Sequence, residues 1–114
     1  MKKFKRISLP QIKEAAEKMA DAVRPEKIIL FGSYAYGQPN ANSDVDYLLV
    51  VKDRSRKQRH NASMKASSAL VPRPFPVDIV VRSANDISWR IREGDFFLEE
   101  IMEKGRVLYE QPNR

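Results

Sequence analysis

The sequence predicts a small mixed α/β fold, of the α/β or α+β class, in which helices flank one β-sheet. Apolar runs rich in β-branched residues alternate along the chain with segments of helical periodicity. Proline, glycine or a capping residue stands at most boundaries between these segments. A chain of 114 residues can bury one modest core, so we expect a single domain over residues 1–114 with a core of about residues 9–109.

The first half of the chain predicts a helix and two strands. Ser8 and Gln11 form a capping-box pattern at the start of the helix, and Pro25 stops it. Residues 27–31, Lys-Ile-Ile-Leu-Phe, then form an apolar strand. Residues 44–51 contain β-branched and aromatic side chains and neither glycine nor proline, so they predict a second, buried strand.

Helices and strands continue to alternate in the second half. Residues 52–70 predict a crossover helix with a strongly charged first half and a frayed or mobile beginning. Three prolines then lead in extended form to a third strand at residues 77–81. Ser83 and Asp95 cap two short helices, and residues 106–109 predict a last strand that pairs at a sheet edge.

Two of the predicted strands carry aspartates. Asp44 and Asp46 are two positions apart, so on one strand their side chains point to the same face. Asp78 lies at the start of the third strand, and its carboxylate joins the other two if that strand lies beside the second. Crowded carboxylates repel one another, and a hard cation such as Mg²⁺ relieves that repulsion. The three aspartates are therefore the candidate metal ligands.

A glycine-serine turn precedes these aspartates. Residues 27–31 run directly into Gly32 and Ser33, and a short helical turn follows as far as Gly37, for which we expect a positive φ. Gly32 lets the backbone approach a ligand closely, and the Ser33 hydroxyl can donate to a phosphate oxygen. Strand, glycine and serine in this order predict a phosphate-binding turn.

The spacing of the turn and the aspartates resembles a known motif. Ten residues separate the glycine-serine pair from Asp44-Val45-Asp46, and Asp78 follows on a later strand. This pattern resembles the DNA polymerase beta-like nucleotidyltransferase superfamily and, within it, the minimal nucleotidyltransferase (MNT) domains. The resemblance extends over about residues 12–109. It implies a palm-like mixed sheet in a single-domain nucleotidyltransferase fold.

The resemblance also implies a reaction. An acceptor hydroxyl attacks the α-phosphate of a nucleoside triphosphate, with ATP as the substrate that the family implies, and pyrophosphate leaves. Asp44 and Asp46 would bridge two Mg²⁺ ions, and Asp78 would hold the ion at the attacking oxygen. Gly32 and Ser33 would bind the β- and γ-phosphates.

For a small MNT protein, the resemblance implies an antitoxin. Such a protein transfers AMP from ATP to a tyrosine of a HEPN-domain ribonuclease toxin, with which it forms a hetero-oligomer. One alternative is a non-catalytic antitoxin that acts by binding, favoured by Tyr36, which stands where many family members have arginine. The other is a nucleotidyltransferase that acts on a small molecule or on RNA.

Charge and composition favour an anionic partner. The chain has 21 lysines and arginines against 15 aspartates and glutamates, a net charge of +6 that a nucleotide, RNA or an acidic protein would complement. Direct nucleic-acid binding is the weaker alternative, and the basic segment 52–60 is either a ligand-contacting surface or a solvated helix start. There is no cysteine, and no long apolar run follows the basic N-terminus, so we expect a cytoplasmic protein without a membrane segment.

Overall fold

Helices and strands alternate along the part of the chain that this computed structural model describes, residues 4–52 and 55–112. The elements in chain order are α1 Leu9–Val23, β1 Lys27–Phe31, α2 Ser33–Tyr36, β2 Val45–Val51, α3 Arg56–Ala69, β3 Val77–Ser83, α4 Ala84–Arg92, α5 Phe96–Lys104 and β4 Arg106–Glu110. The basic N-terminus and the basic segment 52–60 lie partly outside the described residues. No helix within the described ranges has the length and apolar character needed to cross a membrane.

The strands form one mixed sheet in the order β3-β2-β1-β4. β1 pairs antiparallel with both β2 and β4, whereas β2 and β3 run parallel. A parallel pair needs a crossover connection, which α3 supplies. The predicted mixed α/β fold is therefore confirmed, and the third strand lies beside the second.

Side-chain caps start three of the helices where the sequence predicts them. Ser8 and Gln11 form the capping box of α1. The Ser83 and Asp95 side chains each accept a backbone N–H in the first turn of the helix that follows, α4 and α5 respectively. These caps satisfy N–H groups that a helix start otherwise leaves unpaired.

The start of α3 has a defined cap. We expected a frayed or mobile beginning in residues 52–70; α3 is helical from Arg56 onward, and residues 53–54 lie outside the described residues. A second capping box, made by Ser55 and Gln58, fixes this start against the repulsion among the basic residues of the first turn. The frayed or mobile beginning stays a prediction, and the Ser-x-x-Gln pattern was the sequence signal for the cap.

The sheet separates two cores. On β2, Tyr47 and Leu49 pack toward α1 and α3, whereas Leu48 and Val50 pack toward α4 and α5. Tyr47 is fully buried, and its hydroxyl donates to the Ile12 carbonyl of α1 at 2.9 Å. Because side chains alternate along a strand, Asp46 lies on the face of β2 that packs toward α4 and α5.

We expect Tyr47→Phe to lower the free energy of unfolding by about 1 kcal/mol, because the buried donor to the Ile12 carbonyl is lost while the ring remains. Tyr34→Phe is the control, since the Tyr34 hydroxyl accepts a longer, 3.4 Å bond from the Ile7 N–H at a part-buried position. Urea unfolding followed by circular dichroism measures both losses. Equal losses in the two variants would contradict the role of the Tyr47 hydroxyl.

Candidate active site

The parallel pairing of β2 and β3 places two aspartates side by side. Asp46 on β2 and Asp78 on β3 are register partners. Neighbouring strands lie about 4.8 Å apart, and register partners present their side chains on the same face of the sheet. Both carboxylates therefore project from the sheet face that packs against α4 and α5.

Asp44 lies just before β2 rather than within it. We predicted a strand from residue 44, but β2 begins at Val45, whose N–H donates to the Pro76 carbonyl at 3.0 Å. Asp44 is exposed, and its negative charge still acts on Asp46. It thus belongs to the same electrostatic cluster as Asp46 and Asp78.

The surroundings of Asp46 raise the pKa of its carboxyl group from the usual 3.8 to about 6. Burial is the main cause, because it disfavours the charged form of the carboxyl group. The negative charges of Asp78 and Asp44 raise the pKa further. Ionised Asp46 is therefore held where a nearby cation would stabilise it.

Gly32 makes room for the Asp46 carboxylate. β1 ends at Phe31, the register partner of Asp46, so the next residue in the chain lies against the Asp46 side chain. A Cβ atom on Gly32 would collide with Asp46 Oδ2. The backbone at Gly32, with φ +75° and ψ −155°, is also in a region that residues with a side chain avoid. Glycine is needed here both for space and for conformation.

The turn after Gly32 is a single helical turn. The N–H groups of Ala35 and Tyr36 both donate to the Gly32 carbonyl at 3.0 Å, and Gly37 donates to the Ser33 carbonyl at 3.2 Å. The expected positive φ at Gly37 is wrong, since its φ is −123°. A Cβ atom there would lie 2.8 Å from the Ser33 Cα, so Gly37 is needed for close approach.

Tyr34 and Tyr36 pack on opposite sides of the sheet. Tyr34 is buried in the core beneath α1, and the Arg6 guanidinium lies 5.7 Å from its ring centroid. Tyr36 is half-buried and packs against the core beneath α4 and α5. Tyr36 therefore contributes packing at the position where the family resemblance would place an arginine.

The donor set fits a divalent cation. Within residues 4–52 and 55–112, no group of three or more His, Cys, Asp or Glu side chains is arranged to enclose a metal ion. The Asp46–Asp78 pair is in place, and Asp44 is near enough to shift the Asp46 pKa. Carboxylate oxygens suit Mg²⁺, and a bound cation would remove the repulsion among them. Metal binding by the three aspartates, and phosphate binding by Gly32 and Ser33, stay predictions.

A comparison with known families decides the class of the protein. The family model of the nucleotidyltransferase domain matches residues 10–108. The chain belongs to the nucleotidyltransferase domain family. No curated protein is significantly similar to it.

Solved structures with a similar fold include a protein described as a nucleotidyltransferase and toxin-antitoxin structures. A protein from Sulfolobus solfataricus, provisionally described as a nucleotidyltransferase, is 21% identical with a TM-score of 0.58, over 88% of this chain and 78% of that one. A mutant of the toxin-antitoxin MntA-HpeT is 24% identical with a TM-score of 0.52, and a toxin-antitoxin with AMP-PNP is 25% identical with a TM-score of 0.53. Each of these two alignments covers 86% of this chain and 73% of the other. The first two likenesses show the fold of this nucleotidyltransferase domain.

We expect Gly32→Ala to destabilise the nucleotidyltransferase domain more than Gly94→Ala does. Both glycines have positive φ, +75° and +96°, so alanine costs about 1–3 kcal/mol of backbone strain at either position. A Cβ at Gly94 meets nothing within 4 Å, whereas a Cβ at Gly32 collides with Asp46, and the ψ of −155° at Gly32 lies in a region essentially restricted to glycine. Urea unfolding of both variants measures the additional cost at Gly32. Equal losses of unfolding free energy would contradict that additional cost.

We expect Asp46→Asn to stabilise the metal-free protein above pH 6. Because the pKa of Asp46 is raised in the folded state, the folded protein binds the proton more tightly than the unfolded chain does. Wild-type stability relative to the variant therefore falls as the pH rises from about 4 through about 6. The two proteins should converge at the acidic end of this range and diverge above it.

Urea unfolding in EDTA, below pH 4 and at pH 8, measures this difference. Asp21→Asn, an exposed position on α1, is the control and should show no such divergence. If Asp46→Asn stabilised the protein most at the acidic pH, the predicted direction of the pH dependence would be wrong.

Proposed function

We propose that this nucleotidyltransferase transfers AMP from ATP to a hydroxyl of a partner protein, namely a tyrosine of a HEPN-domain toxin, and acts as the antitoxin of that toxin. The observation that carries the proposal is the in-register pair of Asp46 and Asp78, beside the turn at Gly32. Similarity to a toxin-antitoxin with AMP-PNP, at 25% identity, supports both the nucleotide and the class of partner.

Three carboxylates would hold the metal ions in this reaction. Asp44, Asp46 and Asp78 would hold two Mg²⁺ ions. Bound magnesium supplies charge neutralisation on the triphosphate and a lower pKa for the attacking hydroxyl. With a pKa of about 6, Asp46 is largely ionised at neutral pH and available as a ligand.

The chain's own groups would position the reactants. The Ser33 hydroxyl and the backbone at Gly32 would hold the β- and γ-phosphates, which aligns the leaving pyrophosphate. The acceptor oxygen bonds to the α-phosphorus as the bond from that phosphorus to pyrophosphate breaks, and the Asp78 carboxylate accepts the hydroxyl proton. Asp78 is exposed, so a protein acceptor can approach it directly.

A non-catalytic antitoxin is the second candidate. Tyr36 packs against the core at a position where many family members have arginine. That position therefore contributes no fixed positive charge near the phosphates. A protein of this kind would neutralise its toxin by binding alone.

Incubation with ATP, Mg²⁺ and the protein encoded by the neighbouring gene separates the two candidates. We expect the mass of that partner to rise by one or more AMP groups, with the modification on a tyrosine. Asp46→Asn should lower the rate by about a hundredfold or more, because it removes a charge that holds the reacting groups. Asp21→Asn, which makes the same chemical change on α1, should leave the rate unchanged.

For a non-catalytic antitoxin we expect no transfer of AMP to the partner. An unmodified partner that binds tightly to wild type and to Asp46→Asn alike would replace the enzymatic function with inhibition by binding.

A further inference from the structure

The outer edge of β3 faces a basic groove. β3 is an edge strand, and in the described part of the chain its only neighbour in the sheet is β2. A groove of about 510 Å³ lies beside residues 79–82, between the first half of α3 and α4. The charged residues that line it, apart from His60, are four arginines and one acid: Arg56, Arg59, Arg82, Arg90 and Asp86.

The pairing with β2 determines which backbone groups of β3 point toward the groove. The Pro76 carbonyl accepts a hydrogen bond from the Val45 N–H of β2 at 3.0 Å. Backbone N–H and C=O groups alternate in direction from one residue to the next along a strand. Positions 78, 80 and 82 therefore bond to β2, whereas positions 77, 79 and 81 direct their backbone groups outward.

Hydrogen bonds from two arginines agree with the outward direction of positions 77 and 81, and the backbone groups between these positions are left for another strand. Arg73 donates to the Val77 carbonyl at 3.2 Å, and Arg82 donates to the Val81 carbonyl at 2.9 Å. Both carbonyls belong to outward-facing positions. Between them, the N–H and C=O of Ile79 point toward the groove and can pair with another strand.

The charges in the groove suit an acidic occupant. Asp86 is shared by two arginines, with Arg90 at 3.0 Å and Arg82 at 3.9 Å. Arg56 on the facing helix adds a third guanidinium group. Among the described residues that line the groove, arginines outnumber carboxylates, and the excess positive charge favours a ligand that carries several negative charges.

The lining of the groove favours a polypeptide over a nucleic acid. Surfaces that bind single-stranded nucleic acids combine basic groups with aromatic side chains on which bases stack. Among the residues that line this groove, His60 alone has a ring. An open strand edge instead offers hydrogen bonds that an extended peptide can use by adding a strand.

We propose that the outer edge of β3 takes up an extended acidic segment of the partner protein as an additional strand. The backbone of that segment pairs with Ile79, and its carboxylates bind the arginines of the groove. The sheet would then continue from this chain into its partner.

The added strand also places the acceptor, a consequence that rests on the proposed function. A residue paired opposite Asp78 directs its side chain to the same sheet face as Asp78. A tyrosine there would bring its hydroxyl to the carboxylate that accepts the proton. Because Asp78 and Arg82 are four positions apart, roughly 13 Å along the strand, the acidic residues would begin about four positions from that tyrosine.

Peptide binding to the full chain, measured by fluorescence anisotropy without nucleotide, tests the docking. The probe is a labelled peptide of about twelve residues, with one tyrosine and a run of glutamates beginning four positions from it. The same peptide with glutamines and an oligouridylate of similar length are the comparisons. At about 0.15 M salt we expect the glutamate peptide to bind roughly tenfold more tightly than the glutamine peptide. Equal binding of the two peptides, or tighter binding of the oligouridylate, would overturn the proposal.

A matched pair of charge reversals locates the binding site. Arg56→Glu and Lys57→Glu change neighbouring exposed positions of α3 by the same charge, but only Arg56 lines the groove. We expect Arg56→Glu to weaken binding of the glutamate peptide roughly tenfold and Lys57→Glu to weaken it less than about twofold. Equal weakening would leave only a general attraction to a basic protein and would overturn the assignment to the groove.

Ile79→Pro tests the strand addition itself. Proline removes an N–H that points away from β2, so the pairing between β2 and β3 is retained. Thermal unfolding checks that the variant folds, and the folded variant should bind the glutamate peptide at least about fivefold more weakly than wild type. Unchanged affinity would overturn the strand addition. If the variant does not fold, the comparison of Arg56→Glu with Lys57→Glu decides.

This inference and the proposed function can fail separately. Transfer of AMP to the partner without binding of the acidic peptide would retain the enzyme and overturn the docking at β3. Binding of the peptide at the groove without any AMP transfer would retain the docking and overturn the enzyme.

Discussion

The crowding of like charges around Asp46 is the constraint on which the site depends. The residues of β2 on either side of it, from Val45 to Leu49, are almost completely buried, and they fix the strand against β3. The sheet therefore holds the carboxylates of Asp46 and Asp78 together although their charges repel. Such a cost persists only where the surrounding structure imposes it, and it is concentrated at functional positions. A divalent cation would convert this repulsion into binding energy.

The topology of the sheet explains why the glycine turn and the aspartates meet. β1 is antiparallel to β2, so the end of β1 lies beside the start of β2. β2 is parallel to β3, so both of these strands start at the same end of the sheet. Gly32, Asp46 and Asp78, which are distant in sequence, are therefore neighbours. The crossover helix α3 packs on the opposite face of the sheet, and the Asp78 side chain is exposed.

Local sequence patterns predicted the helices and strands. The strand order and the contacts between distant residues depend on non-local packing, which these patterns do not determine. Residues 27–31 formed the expected strand, because strand composition acts over a few residues. The place of Asp78 depended on strand order, so its pairing with Asp46 could only be stated conditionally. Gly37 was assigned a positive φ from a rule for helix ends, but close packing on the preceding turn determines its role. The groove combines Arg56 with Arg90, and no local pattern joins positions so far apart.

The arginines at the edge of β3 also determine which strands that edge accepts. An unprotected edge invites pairing with other copies of the same chain. Here a second copy would bring the same arginines, so two such edges would repel each other. An acidic strand meets attraction instead, and specificity then arises from repulsion of the wrong partner as well as from contacts with the right one. The sheet face that carries both Asp78 and Arg82 also has a direction, because along that face Asp78 repels acidic side chains whereas Arg82 attracts them. A neutral hydroxyl side chain is therefore favoured beside Asp78, where the proposed transfer requires it.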